Sequence, residues 1–268
     1  MNPTLALIQN RRSIRNYAET PITREEKDTI LAAAMRAPTA GNMMLYSIIE
    51  IEDQALKEKL AESCDHQPFI AKAPFVLVFV ADYQRWMDFF RWSEAPEACI
   101  EKGLHPRKPQ EGDLMLACCD ALIAAQTAVI AAESMGIGSC YIGDILENCE
   151  IHQELLNLPQ YTFPITLLCF GRPAVVREES RPMRRFDRKY IIHRNRYERI
   201  NPADFPDMMK DALHQFPNIQ PGEAAKKIAQ NMYNRKFVSD FSVEMSRSVR
   251  KWIDLWTGNQ DRNYQKEK

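Results

Sequence analysis

The sequence has no excess of charge of either sign: 35 lysines and arginines face 36 aspartates and glutamates, for a formal net charge of -1. A chain so balanced carries no global field that would draw it to nucleic acid or to an anionic membrane. It has no cysteine framework. Seven cysteines, scattered apart from the neighbours Cys118 and Cys119, show neither CxxC nor Cys/His ligand spacing, so reduced thiols in a cytoplasm are expected. The first residues, MNPTLALIQN, have no basic start and no long apolar region, so no signal peptide is expected. Repeats and low-complexity tracts are missing. So are the marks of side-chain chemistry: no GxSxG elbow, no HExxH and no Walker sequence. His66, His105, His152, His193 and His214 are too dispersed for a ligand set, and no metal site is expected. If the chain is an enzyme, its reactive atoms belong to a cofactor.

What is present is a chain of 268 residues with 45% hydrophobic and 26% charged content, enough for a sizeable core in one large domain, with or without an appendage. Pro3 to Asn10 reads as a short helix. Thr23 and Glu26 form a capping box for a helix to about Arg36 that buries Ile30, Leu31 and Ala34. Ser47 to Ile51 reads as a strand, Gln54 to Glu62 as a charged helix, and Ala73 to Ala81 as a strand covered on both faces. Residues Tyr83 to Gly112 read as a helix followed by a mobile excursion. Asp113 to Ser134 is the most apolar helix. Its length is close to the roughly 20 residues of a membrane span, but Asp120 and Gln126 are costly in lipid. It reads instead as a central helix of a core or dimer interface, with Cys118 and Cys119 as packing residues. Gly136 caps it, Ser139 to Ile142 is extended, Asp144 onward starts another helix, and Thr162 to Gly171 is a strand. After Pro202 the pattern is helical over Ala203–Gln215, Gly222–Tyr233 and Asp240–Trp256.

Three stretches are candidates for binding. Arg11-Arg12-Ser13-Ile14-Arg15 places three permanent cations and a hydroxyl within five residues, which suits a phosphorylated cofactor; a solvated surface cluster is the ordinary alternative. Ala37-Pro38-Thr39-Ala40-Gly41-Asn42 is a loop of small residues whose open backbone can meet a planar ligand, or a plain loop. Between Arg181 and Arg199 lie eight basic residues. Asp187, Glu198 and the neutral whole speak against nucleic acid, and phosphate capture by one or two of them is simpler. The segment Gly136–Gly143 is not a dinucleotide fingerprint, because its spacing differs and it follows a helix.

Four blocks in order carry a family resemblance: RRSIRNY (Arg11–Tyr17), APTAGN (Ala37–Asn42), AAESMGIGSCYIGDI (Ala131–Ile145), and LLCFGRPA with the arginine-rich stretch ending near His193. The chain resembles the FMN-dependent nitroreductase superfamily, and within it the larger NAD(P)H:flavin and nitro reductases with a helical C-terminal extension. The blocks span about residues 3 to 197. The resemblance implies an α+β fold, a mainly antiparallel sheet wrapped by helices in an intertwined homodimer. It implies an FMN-binding domain over 1–197 and a helical extension over 198–268 packed on the core.

The resemblance also implies a site. Arg11, Arg12, Ser13 and Arg15 match the first FMN segment, with Arg15 near the pyrimidine edge of the ring. Pro38, Thr39, Ala40, Gly41 and Asn42 match a loop supplied by the other subunit. Gln67, or His66, matches a polar contact to the flavin. Tyr141, Ile142, Gly143, Asp144 and Ile145 match the loop that covers the ring. Arg185 matches a phosphate-binding arginine, with Arg184 or Arg181 as alternatives, and no side chain is expected to be catalytic. Arg235 is the candidate for an NADPH 2′-phosphate contact; a solvated helix residue is the alternative. Met44 and Leu45 stand where many members have Gln-Pro, Asp144 replaces a common glycine, and Tyr83–Gly112 is long. The implied activity is ping-pong transfer of hydride from NAD(P)H to FMN and of two electrons to nitroaromatics, quinones or flavins. Dehalogenation, ene reduction, flavin destruction, or a flavin-binding regulatory dimer with little turnover are the alternatives. The expected partners are a second copy and a small electron acceptor, with no nucleic acid or membrane.

Overall fold

The computed structural model of the chain describes residues 2–175 and 184–259. Helix α1 (Pro3–Asn10) precedes α2 (Arg24–Met35), β1 (Tyr46–Glu50), α3 (Gln54–Ser63) and a single turn, α4 (Phe69–Lys72). Strand β2 (Phe75–Asp82), α5 (Gln84–Trp92), α6 (Ala95–Glu101) and the long α7 (Glu111–Ser134) follow. Then come β3 (Gly138–Ile142), α8 (Cys149–Leu155) and β4 (Thr162–Gly171), and after them α9 (Phe205–Met208), α10 (Pro221–Met232) and α11 (Asp240–Thr257).

The four strands form one sheet in the order β1-β2-β4-β3, with every pair antiparallel. Strand β2 is buried along its whole length, as its continuous apolar run requires. Its period of two divides two cores. Val76, Val78 and Val80 face one, and Phe75, Leu77 and Phe79 face the other. On the second face α2 and α7 lie against the sheet. The alanines of α7, among them Ala121, Ala124, Ala125, Ala128 and Ala132, let the helix approach closely. Strand β4 contains a proline, Pro164, and the register against β2 shifts there, so a bulge absorbs the missing donor.

The chain divides into two compact units. One comprises the described residues of Met1–Ser180 and Glu244–Lys268; the other comprises those of Arg181–Val243. The expected boundary at 197/198 falls inside the second unit. Most of α11 belongs to the first, where Trp252 and Trp256 are fully buried. Their rings pack edge-on to Phe163, Tyr83 and Tyr161. Burying two indoles contributes at most about 4 kcal/mol each by area, which ties the end of the chain into the core.

Other differences from the sequence reading are local. The stretch after Tyr83 holds two helices, α5 and α6, instead of one followed by an excursion. Cys118 packs in the core as expected, but Cys119 is exposed. The helix expected over Ala203–Gln215 is broken into the turns Pro202–Asp204 and Lys210–Gln215 flanking α9. All seven cysteines are free.

Candidate cofactor site

Arg11 closes α1, its N–H bonding to the carbonyl of Leu7. The chain then runs as an irregular strand beside the sheet edge. Ser13 bridges Ser139 in parallel, Ile14 N donates to Ser139 O at 2.9 Å, and Tyr17 bridges Pro173. Two glycines make this approach possible. A Cβ on Gly138 would lie 2.3 Å from Ile14 Cγ1, and one on Gly171 would lie 2.2 Å from the Tyr17 ring. Any larger residue at either position displaces the arginine segment from β3 and β4.

None of Arg11, Arg12 and Arg15 forms an ion pair among the described residues. Arg11 Nη1 is buried with no hydrogen-bond partner, and so is the hydroxyl of Ser139. Arg11 lines a small cavity with Leu7, Ile8, Gln126, Val129, Ile130 and Glu133. Burial pushes the Glu133 carboxyl up, against the pull of Arg11 and Arg12. Burial also raises the Cys140 thiol, opposed by the nearby Arg15, Ser13 and Arg11. The Tyr141 hydroxyl, pushed up to about 12 by burial, donates to Gln126 Oε1 at 3.2 Å. The positive charges therefore converge on β3 and the last turns of α7.

Arg15 extends this cluster toward Gln67. Its guanidinium lies over the Phe69 ring, 5.7 Å from the centroid. Two left-handed residues, Asp65 and His66, turn the chain before Gln67. The Gln67 amide nitrogen then donates to Asp144 Oδ2 at 2.7 Å and to Cys64 O at 2.9 Å. Asp144 opens the short turn Asp144–Leu146 that continues β3. Gly143, just before it, is exposed, and Ile145 within it is fully buried. His152 fastens this turn from below, with Nδ1 2.9 Å from Ile145 O and Nε2 2.8 Å from Ser63 Oγ. Burial lowers its pKa, disfavouring the charged ring. Glu147 is buried beside Asp144, and burial together with the Asp144 charge pushes its carboxyl up to about 8. The structure thus brings Arg11, Arg12, Ser13, Arg15, Gln67 and Tyr141 to Ile145 together along one edge.

The loop of Pro38, Thr39, Ala40, Gly41 and Asn42 lies elsewhere in the same unit. Gly41, Asn42 and Met44 take left-handed conformations, tight enough to turn the chain within a few residues. The Asp120 carboxylate, in the middle of α7, accepts from Thr39 Oγ1, from Ala40 N at 3.0 Å and from Leu45 N at 3.2 Å. Arg85 Nη1 donates to Met44 O at 3.2 Å, and Trp86 Nε1 to Met43 O at 2.7 Å. Along α7 the loop's anchor is about 20 Å from Glu133, beside which the arginines sit, at about 1.5 Å per residue. One copy of the chain does not bring the loop and the arginine segment together. The sequence reading uses Asp120 only against a membrane span, although a charge inside so apolar a helix demands partners, and that is the signal.

Arg185 and Arg235 belong to the second unit. Arg185 is exposed, donates to the carbonyl of Arg184 at 3.2 Å and has no carboxylate partner among the described residues. With Arg184, Phe186, Met208, Met209 and His214 it lines a cavity of about 400 Å³. Arg184 is held by the carbonyl of Asp211 at 2.7 Å, and Arg181 lies outside the described residues. Arg235 is exposed in the turn Tyr233–Phe237, its guanidinium 3.6 Å from Met232 Sδ. Among the described residues no group of three or more His, Cys, Asp or Glu side chains could hold a metal ion.

The fold is a small antiparallel sheet flanked by helices, with three arginines gathered along one edge. The chain belongs to the nitroreductase family, whose model matches residues 8–172, and is an oxidoreductase. It is 35% identical over 211 residues to an FMN reductase (NADPH) of Bacillus subtilis, covering 78% of this chain and 80% of the relative. It is 34% identical to an oxygen-insensitive NADPH nitroreductase of Salmonella typhimurium, covering 75% and 77%. Its fold matches the NfrA1 nitroreductase of Bacillus subtilis with a TM-score of 0.72 and 28% identity, covering 93% of this chain and 98% of that one.

Proposed function

We propose that this chain is an FMN-dependent NAD(P)H oxidoreductase that works as a homodimer on small electron acceptors. One observation carries the reading: three unpaired arginines, one with a buried, partnerless nitrogen, docked beside the buried Ser139 hydroxyl. A phosphate-bearing, electron-poor ring fits these groups, since it supplies anionic and carbonyl acceptors for donors that the fold leaves unused. The names of the relatives, an FMN reductase and an NADPH nitroreductase, support the same reading. Bound FMN would supply the chemistry, taking a hydride from NAD(P)H and then passing two electrons to a nitroaromatic, quinone or flavin.

The chain's own residues would bind, orient and exclude water. Arg11, Arg12 and Ser13 would hold the cofactor at the edge of β3. Arg15 would set a cation by the pyrimidine edge, where negative charge grows on reduction. Gln67 and the turn from Tyr141 to Ile145 would border the ring. Arg185 would take the phosphate, and Arg235 the 2′-phosphate of NADPH.

The exposed face of α7 supports the dimer. On α7 a stripe of Met115, Leu116, Cys119, Leu122 and Ile123 is exposed, Met115 by 64%, with the spacing of one helix face. Among the described residues this is also the helix long and apolar enough to cross a membrane, and the apolar stretch is half buried within the fold. Pairing the stripes of two copies would bring the loop Pro38–Asn42 of one to the arginine segment of the other. Free thiols throughout suit a cytoplasmic setting.

The test is the visible spectrum of purified protein before and after anaerobic NADPH. A flavin band pair that bleaches is expected. A colourless protein that takes up no added FMN overturns the reading, and bound FMN that NADPH leaves unbleached favours a regulatory dimer.

A further inference from the structure

We infer that Asp120 is a positioning residue for the cofactor, linking the exposed face of α7 to the loop that the proposed function places against the flavin of the other subunit. It rests on that reading of the site, but its geometry is independent of it. Asp120 is 3% exposed in the most apolar helix of the chain, where an uncompensated carboxylate would be costly. Among the described residues it is compensated by one stretch: the hydroxyl of Thr39 and the backbone amides of Ala40 and Leu45.

The Thr39 hydroxyl relays the contact one step further. It accepts from Met44 N at 2.8 Å while it donates to Asp120. The left-handed turn at Gly41 and Asn42 is therefore clamped at both ends by a single carboxylate. Both turn residues remain exposed, so the clamp leaves the outward face of the loop free for a ligand. The neighbour Cys119 points outward in the exposed stripe of α7. A change of packing at that face is thus one residue away from the group that shapes the loop. The hydrogen bonds of Asp120 go to the loop, so it acts through the loop.

Asparagine keeps the size of the group and one acceptor oxygen but replaces the other with a donor, so it cannot serve Thr39, Ala40 and Leu45 together. The experiment compares wild type, Asp120→Asn and Thr39→Val as intact dimers. It reads FMN affinity by fluorescence quenching, the visible circular dichroism of bound flavin, and amide hydrogen exchange of residues 39–45. Each variant should weaken FMN by on the order of tenfold, the effect of losing one charge-assisted hydrogen bond. The double variant should be no weaker than the worse single one, because both cut the same link. Exchange at Ala40 and Leu45 should quicken in Asp120→Asn with or without flavin. A folded Asp120→Asn dimer with wild-type affinity and an unchanged flavin spectrum overturns the inference. Should Asp120→Asn fail to fold, Thr39→Val decides in the same way. Wild-type protein that takes up no FMN overturns the proposed function instead, and unchanged exchange at Ala40 and Leu45 in Asp120→Asn still overturns the clamp.

Discussion

The two loops that frame the proposed site treat their polar groups in opposite ways. Around Pro38–Leu45 the carboxylate of Asp120, the guanidinium of Arg85 and the indole of Trp86 meet backbone groups of the loop. Between Arg11 and Arg15 the cations are held in place by β3 and two glycines but form no ion pair among the described residues, although Glu133 lies near Arg11 and Arg12. A polar group that is buried and satisfied belongs to the scaffold; one that is positioned and unsatisfied is aimed at something outside the chain. The first loop is shaped by the protein, and the second offers the donors that the proposed cofactor would take.

The largest break in this contrast is expected from Gly138→Val. Its Cβ would lie 2.3 Å from Ile14 Cγ1, and overpacking of this kind costs about 1–3 kcal/mol. The arginine segment should leave β3, with a lower Tm and no measurable flavin uptake; wild-type uptake would show that the segment binds without its dock. Arg11→Ala should leave Tm almost unchanged while weakening FMN by about tenfold or more, as a charge-assisted contact is lost. Equal affinity in a titration of the flavin-free protein would assign the buried Nη1 to structure alone.

Glu147→Gln sharpens the contrast from the scaffold side. The folded pKa of Glu147 is raised from 4.5 to about 8, so between these values the folded state binds the proton more tightly than the unfolded chain. Stability should therefore fall as pH rises through that window, by at most about 1.4 kcal/mol per pH unit. The variant, always neutral, should lose this slope in denaturant titrations at several pH values; an unchanged slope would place the proton elsewhere in the Asp65, Asp144 and Glu244 neighbourhood. The smallest effect is expected from Arg235→Ala, which should raise the KM for NADPH a few-fold and leave that for NADH alone. Equal changes for both would remove Arg235 from the site.

Much of the fold was legible because its signals are local. The Thr23 and Glu26 capping box starts α2 as written, the β-rich run around Leu77 is the buried strand β2, and Gly136 turns left-handed after α7. The arginine segment was visible as a cluster of charge. What escaped depends on contacts between distant parts of the chain. Nothing near Thr39 points to Asp120, 81 residues away, and nothing near Trp252 says that the last helix returns to the first unit. The exposure of Cys119 was hidden for another reason. A helix apolar all round does not declare which face meets the sheet; its alanines do, since only small side chains permit that approach.

The central claim is that each flavin site is built from the arginine segment of one copy and the loop of another. Mixing subunits tests it most directly. Arg11→Ala and Asp120→Asn proteins, each weak in FMN, are unfolded and refolded together and their flavin content measured. Each mixed dimer holds one site with both defects and one with neither, so flavin uptake at low FMN should recover to about half the wild-type level in that species. No gain on mixing, with mixed dimers shown to form, would mean that the site lies within a single chain.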